Sequence, residues 1–156
     1  MRSTIQGTMP MPTFQDSLRQ RLLDFTPHIA ACGMQIERLD ATATELRLPF
    51  REEWIGDAER GFLHPGIITT LIDSACGAAV LARIGQAEMI ATLDLRVDFL
   101  RAAVRDADTL CRAHCHRLTA HIAFARATVW QAPEGEPIAS AHGVFVRTQR
   151  STREPA

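Results

Sequence analysis

The chain of 156 residues is long enough for one domain with a substantial core, and its 17 basic and 18 acidic residues nearly balance. It contains six histidines but no lysine, tyrosine or asparagine, so Schiff-base chemistry on lysine and acid catalysis by tyrosine are excluded. The lack of a basic run argues against a nucleic-acid partner.

The two ends of the chain are polar or contain prolines. We predict that residues 1–12 and 150–156 are tails around a single domain of residues 13–149. The first segment lacks the apolar stretch of about 7–15 residues that a signal peptide needs, and no window resembles a membrane span. We therefore expect a cytoplasmic protein, not a membrane protein, in which the four cysteines are reduced thiols.

The first predicted element is a helix. Apolar residues recur three or four positions apart from Phe14 to Phe25, which predicts a helix that opens after Thr13 and ends near Pro27. The next segments, MQIERLD and ATATELRLPF, alternate apolar and polar residues, and they predict a hairpin of two strands broken at Asp40.

A long helix is predicted over residues 66–84. It is apolar or made of small residues nearly all the way round, so it needs cover on most sides. Its one polar stripe contains Gly66, Thr69 or Thr70, Asp73 and Gly77. If the stripe faces solvent, Asp73 is an ordinary surface acid; if it faces a cleft, desolvation prepares the carboxylate for base chemistry. Gly77 either leaves room for a ligand or serves helix packing.

Four strands are predicted after this helix. The first, TLDLRVDFL, alternates most cleanly. Its two sides are predicted to carry Leu93, Leu95, Val97 and Phe99 on one and Thr92, Asp94, Arg96 and Asp98 on the other. The segments DADTLCRAHCHRLT, HIAFARATVWQ and PIASAHGVFVRTQ follow as three more strands. This order predicts an α+β fold in which a curved antiparallel sheet wraps around the long central helix.

The segment CRAHCHRLTAH holds two cysteines and three histidines, which invites a metal site. On a strand, however, Cys111 and Cys115 lie on one face about 13 Å apart, while His114 and His116 point to the other. An ordinary strand is favoured, and we expect neither a metal nor a cofactor.

The start of the long helix is a second candidate feature. Proline suits a first helical position, and the free N–H groups of Gly66, Ile67 and Ile68 are predicted to point outward, where an oxyanion could be held. His64 lies immediately before the helix. It either acts on substrate or caps and orients the loop, and a lone histidine favours the second role.

Two segments together, GFLHPGIITTLIDSACGAA and ATLDLRVDFLRAA, resemble the hotdog-fold thioesterases of the PaaI-like (phenylacetate-degradation) family. That family has the signature G-x-x-H-G-G-x-x-x-x-x-x-D. The likeness runs from about residue 33 to 148 and includes the late segment GEPIASAHGVF. It implies a hotdog fold, hydrolysis of an acyl-CoA thioester to a free acid and CoA, and a homodimer or homotetramer whose protomers share each active site.

The resemblance also implies residue roles. Asp73 falls on the catalytic carboxylate, as general base or nucleophile, and His64 on the motif histidine. Thr92 falls on a hydroxyl that positions the attacking water, on a strand side shared with Asp94. Gly66 would donate its N–H to the oxyanion. Substrate contacts are expected from Pro65, Thr70 and Gly77.

Two departures from the family pattern bear on activity. Pro65 replaces the first glycine of H-G-G and has no N–H, and Ala58 stands where relatives carry asparagine. Asp57 or Glu59 would substitute only partly, since an ionised carboxylate donates no hydrogen bond. A catalytically weak acyl-CoA-binding protein is therefore the alternative. A hotdog dehydratase or hydratase is not favoured, because Asp57 and His64 match that motif poorly.

The phosphates of CoA could be bound by several arginines, although exposed arginines usually serve only solvation. The sequence does not distinguish among Arg101, Arg105, Arg117, Arg126 and Arg147.

Overall fold

The computed structural model describes residues 12–133 and 135–148. Its helices are α1 (Phe14–Asp24), α2 (Pro27–Cys32) and α3 (Pro65–Ile84). Its strands are β1 (Gln35–Leu39), β2 (Thr44–Leu48), β3 (Ile55–Asp57), β4 (Phe62–Leu63), β5 (Met89–Phe99), β6 (Thr109–Leu118), β7 (Ile122–Gln131) and β8 (Ala139–Thr148). The tails predicted at 1–12 and 150–156 lie outside the described residues, apart from Pro12.

The N-terminal region forms two helices where one was predicted. Thr13 caps α1 in a capping box with Asp16, as its hydroxyl accepts from the Asp16 N–H and the Asp16 carboxylate accepts from the Thr13 N–H. The chain leaves helical geometry at Thr26 because the residue before a proline is disfavoured there, and Pro27 then starts α2. Phe25, predicted to be on the apolar stripe, is 76% exposed.

Six antiparallel strands form one sheet in the order β1-β2-β6-β7-β8-β5. The predicted hairpin of β1 and β2 is confirmed. The last four long strands pair as antiparallel neighbours, with β5 joined to β8 at one edge of the sheet. Strands β3 and β4 form a separate short hairpin. The predicted α+β architecture is confirmed.

Helix α3 lies against this sheet and contacts all six of its strands. Its buried residues are Ile68, Leu71, Ile72, Ala75, Cys76, Ala78, Ala79, Val80 and Ala82. By length and composition α3 would be able to cross a membrane, so the expectation that no window resembles a span is wrong on those criteria. Its packing in the core of the domain accounts for the same composition.

A β-bulge in β5 changes which side chains face the helix. Thr92 pairs with Phe145 and Asp94 pairs with Val144, so Leu93 is an extra residue without a partner on β8. Phe145 is buried in the core, and Thr92, directly opposite, therefore faces α3. The extra residue reverses the side of the strand that the residues before Leu93 face. Thr92 and Asp94 therefore lie on opposite sides of β5, and the prediction that they share a side is wrong.

Candidate active site

Asp73 lies on α3, half-buried, in the wall of a cavity of about 530 Å³. The other residues that line this cavity are Thr26, His28, Ile29, Thr69, Thr70, Ser74, Thr92 and Leu95. The middle of the polar stripe, formed by Thr69, Thr70 and Asp73, therefore lies in the wall of a cleft.

Thr92 holds the Asp73 carboxylate. Its hydroxyl Oγ1 donates to Asp73 Oδ1 at 2.9 Å across the space between β5 and α3. The bulge at Leu93 makes this bond possible, because it turns Thr92 towards the helix. A hydrogen bond to one carboxylate oxygen fixes the rotamer and leaves the second oxygen to accept from a water or to attack a substrate.

Replacing Thr92 by valine keeps the side-chain volume and removes this hydrogen bond. Because hydrogen bonds to charged groups contribute about 1.5–3 kcal/mol, we expect the kcat of a reaction that uses the Asp73 carboxylate to fall about 10- to 100-fold. Thr92→Ser keeps the hydroxyl and should stay near wild type. Steady-state kinetics on all three proteins checks this, and equal kcat values for valine and serine would show that the bond does not serve catalysis.

His64 caps α3 through its side chain. Its Nδ1 accepts from the Gly66 N–H at 2.9 Å, and its carbonyl oxygen accepts from the Ile67 N–H at 3.2 Å. The expectation that these two N–H groups are free is therefore wrong. A Cβ at position 66 would lie only 2.8 Å from His64 Nδ1, so the cap requires glycine there. This is the capping role that the sequence left as an alternative to a role on substrate.

A second cavity, of about 350 Å³, lies beside the start of α3. Its lining residues are Gly56, Asp57, Phe62, Leu63, His64, Pro65, Ile68, Phe99, Ala102 and Ala103. The lining is mostly apolar, and none of it is shared with the cavity that contains Asp73. A single protomer therefore does not bring His64 and Asp73 to the same cavity.

Two further residues predicted to contact substrate, Thr70 and Gly77, lie in different surroundings. Thr70 lines the Asp73 cavity and donates its hydroxyl to the Gly66 carbonyl at 3.0 Å. Gly77 lies beside the core, where an added Cβ would meet Ile90 and Phe145 at 3.8 Å, an ordinary contact distance. Gly77 therefore does not line the cavity, and its place fits the helix-packing alternative.

Several cavity residues were not identified from the sequence. Thr26, His28 and Ile29 come from α2 and its N-terminal flank, and Ser74 follows Asp73 on α3. Ser74 lies beside the polar stripe, so its position on the predicted helix could have identified it from the sequence. The α2 residues carried no such signal, since only tertiary packing brings that helix to the cleft.

The charged candidates separate into paired and unpaired groups. Arg101 pairs with Glu136, Arg105 with Glu52 and Arg147 with Glu88. Within residues 12–133 and 135–148, Arg117 and Arg126 form no ion pair. Asp57, the candidate substitute for asparagine, accepts from the Arg60 N–H and guanidinium, and these bonds hold the pKa of its carboxyl below the usual range. It donates no hydrogen bond in that state.

All four cysteines are free thiols, and Cys32, Cys76 and Cys111 are buried. Burial raises the pKa of the Cys76 thiol to about 12, which suits a packing role. In the part of the chain that the structure describes, no three His, Cys, Asp or Glu side chains converge as a metal site would require.

A family model and a curated protein are both similar to this chain. Residues 60–138 match the family model described as the thioesterase superfamily. A protein of Halobacterium salinarum that carries the name of an esterase, VNG_1336C, is 33% identical over 93 residues. The matched residues cover 58% of this chain and 62% of that protein. The match thus spans about three fifths of this curated relative.

Solved structures are similar over more of the chain. A Pseudomonas aeruginosa protein is 35% identical, with a TM-score of 0.76 and coverage of 86% of this chain and 99% of that one. A mutant of the phenylacetic acid degradation protein PaaI from Thermus thermophilus is 25% identical, with a TM-score of 0.69 and coverage of 78% and 99%. A thioesterase family protein from Silicibacter pomeroyi is 26% identical, with a TM-score of 0.72 and coverage of 83% and 97%.

Proposed function

Because the chain belongs to the thioesterase superfamily, we propose that it hydrolyses an acyl-CoA or aryl-acyl-CoA thioester to a free acid and CoA in the cytoplasm. The family match supports thioester hydrolysis in general, and the hotdog fold and the PaaI-like resemblance are confirmed. The proposal of Asp73 as the reacting group is supported by one observation above all: the half-buried Asp73 carboxylate accepts from the Thr92 hydroxyl inside a cavity.

The proposed chemistry begins at the free oxygen of Asp73. As a general base, Asp73 takes a proton from water while the water oxygen attacks the thioester carbon; as a nucleophile, its oxygen attacks that carbon directly. In both routes the carbonyl oxygen gains negative charge, and its return to a carbonyl expels the CoA thiolate, which takes up a proton. In the nucleophilic route this leaves an anhydride between the acyl group and Asp73, and water then hydrolyses it to release the free acid and regenerate the carboxylate. Thr92 keeps the carboxylate oriented through both steps.

The proposed active site is shared between two copies of the chain. In one protomer the Asp73 cavity and the apolar cavity beside His64 are separate, so a complete site needs the helix start of a second protomer. Strand β5 is eleven residues long and forms one edge of the sheet. Its side chains Leu93 and Phe99 are 58% and 47% exposed. An exposed apolar edge favours a partner. A homodimer, or a homotetramer of two such dimers, is therefore proposed.

Pro65 provides a test of the oxyanion site. Pro65→Ala restores a backbone N–H at the position where the family pattern has one and keeps a good helix former. Since a single oxyanion donor contributes about 10²–10³ in kcat, we expect turnover to rise about tenfold or more. Steady-state kinetics measures the gain, with Pro12→Ala as the control; an unchanged kcat would show that the restored N–H does not contact the oxyanion.

An acyl-CoA-binding protein with little turnover is the second candidate. It is favoured by the geometry of the helix start, where Pro65 lacks an N–H and the Gly66 N–H already donates to His64. If this geometry persists when substrate is bound, the oxyanion has neither donor.

The deciding experiment measures CoA release from a panel of short, medium, long and aryl acyl thioesters, together with the affinity for each. Turnover above that of the Asp73→Asn variant supports the thioesterase, and the best substrate defines the acyl class. Saturable binding without turnover on any thioester would support the binding protein instead. The free thiols of the protein are subtracted with a substrate-free blank.

A further inference from the structure

Three of the four interior strands of the sheet have an unusual charge composition. None of the ten residues in each of β6, β7 and β8 is acidic. Their helix-facing side chains are mostly apolar and buried, so most of their cationic side chains lie on the opposite, exposed face. One of them, Arg112, pairs with Glu45 of β2. We call the others the outer basic patch, which consists of His114, His116, Arg117, Arg126 and His142.

The strand register places these cations side by side. His114 lies directly opposite Arg126, Arg126 directly opposite His142, and His142 directly opposite Arg96 of β5. Neighbouring strands lie about 4.8 Å apart, so the first three side chains form a row about 10 Å long. Arg96 is neutralised by Asp98, whereas Arg126, at the centre of the row, has no ion-pair partner among the described residues.

A bulge adds a further imidazole to the row. The β6 register shifts between Cys115 and Arg117, which makes His116 the extra residue, and its ring centroid lies 6.2 Å from that of His114. Partial burial lowers the pKa of His116, and the charges of Arg126, His114, His142 and Arg117 lower it further. The members of the patch are therefore close enough to repel one another.

When the imidazoles are protonated, such an arrangement destabilises the empty protein, since like charges directly opposite each other on a sheet are unfavourable. A multiply charged anion would remove that repulsion. Arginine guanidinium groups and imidazole N–H groups both donate hydrogen bonds to phosphate oxygens, and arginine does so in a bidentate manner. We propose that the outer basic patch binds a ligand carrying two or more phosphate groups.

This site is separate from the proposed thioesterase site. Asp73 and Thr92 face each other on the helix side of the sheet, whereas Arg126 lies on the other side. Within one protomer, the sheet thus separates the Asp73 carboxylate from the patch. The inference does not depend on the chain being a thioesterase, and its test uses binding alone.

Calorimetric titration with tripolyphosphate at low salt tests the proposal. We expect saturable binding to the wild type, at least about tenfold weaker binding to Arg126→Gln, and a loss of affinity as salt screens the charges. The matched control is Arg101→Gln, which removes an exposed arginine outside the patch and should bind like the wild type. No saturable binding to the wild type, or equal affinity in Arg126→Gln, would overturn the proposal.

A stability measurement separates binding from folding defects. Without ligand, and at a pH low enough to protonate both neighbouring histidines, Arg126→Gln should raise Tm by about 1–3 °C, because it removes their repulsion from Arg126. Tripolyphosphate should raise the Tm of the wild type more than that of the variant. A lower Tm for the ligand-free variant, with no difference in the ligand-induced shift, would argue for a purely structural arginine.

Competition experiments identify the source of the phosphates. If ATP and tripolyphosphate compete equally well, the patch recognises phosphate groups alone; if CoA competes better than dephospho-CoA and ATP, free CoA is the favoured source. Both results support the proposal. If Arg126→Gln instead changes the oligomeric state in light scattering and leaves tripolyphosphate binding unchanged, the patch is a protein interface and the proposal is wrong.

Discussion

Asp73→Asn should lower the kcat of the proposed acyl-CoA hydrolysis by about 10²–10⁴-fold, since a positioned general base contributes about that much and a nucleophilic role would cost at least as much. Asparagine has nearly the same shape, and its amide oxygen can still accept from the Thr92 hydroxyl. We therefore expect the fold and the affinity for substrate to be retained. Steady-state and single-turnover kinetics, with circular dichroism on the same samples, measure the effect.

Asp94→Asn is the matched control for this substitution. Asp94 is also an aspartate near the bulge, but it pairs with Val144 on the sheet face away from α3. Its removal should leave kcat within about twofold, as expected for an exposed surface position. If both variants lose activity equally, or if Asp73→Asn keeps wild-type turnover, Asp73 is not the catalytic carboxylate.

Arg147→Met should lower the free energy of unfolding by about 3–5 kcal/mol. The Arg147 guanidinium binds both carboxylate oxygens of Glu88, at 2.7 and 2.8 Å, and also donates to the Thr119 carbonyl. The two side chains are only 12% and 4% exposed. Methionine fills similar space but leaves the Glu88 carboxylate buried without its partner, which is the costly outcome for a buried pair. Urea unfolding monitored by circular dichroism measures the change.

An exposed arginine–glutamate pair provides the control. Arg101 and Glu136 are 48% and 77% exposed, so Arg101→Met should cost no more than about 1 kcal/mol. The double variant Arg147→Met with Glu88→Gln should recover part of the loss, because no buried charge remains. Equal destabilisation by Arg147→Met and Arg101→Met would contradict the assignment of a buried ion pair.

The same pair predicts a pH dependence with a definite sign. Hydrogen bonds from Arg147 hold the pKa of Glu88 below its ordinary value, although burial opposes them. A carboxyl whose pKa is lower in the folded state binds fewer protons there. Its contribution to stability is therefore complete above about pH 5 and disappears as the pH falls through the folded pKa. The free-energy difference between wild type and Glu88→Gln should accordingly shrink below about pH 4.

The architecture was predictable because its pattern signals are strong. An apolar helix of small residues demands cover, and the four strands after it alternate over long stretches. The boundary between α1 and α2 was missed for a local reason. The apolar spacing continues through Phe25, while the conformational restriction imposed by Pro27 on the preceding residue ends the helix earlier.

The candidate site was predictable in its residue types and less so in its contacts. Asp73 was identified as the one acid on an apolar helix, and Thr92 through the family resemblance. Their hydrogen bond was not predictable from alternation, because Leu93 is apolar and fits the two-residue period without a break. The contribution of α2 depends on long-range packing, and the capping bond of His64 depends on the conformation of one loop.

The bulge at Leu93 also determines how this chain should be aligned with its relatives. Leu93 has no partner on β8 between Thr92 and Asp94. In an unbroken ladder the residue opposite Phe145 would directly precede Asp94, so the bulge moves the hydroxyl one position towards the N-terminus. In a relative without the bulge, the hydroxyl that reaches the acid would directly precede the counterpart of Asp94. An ungapped alignment through the C-terminal half of β5 would then match that hydroxyl with Leu93 and report a missing hydroxyl where one is present.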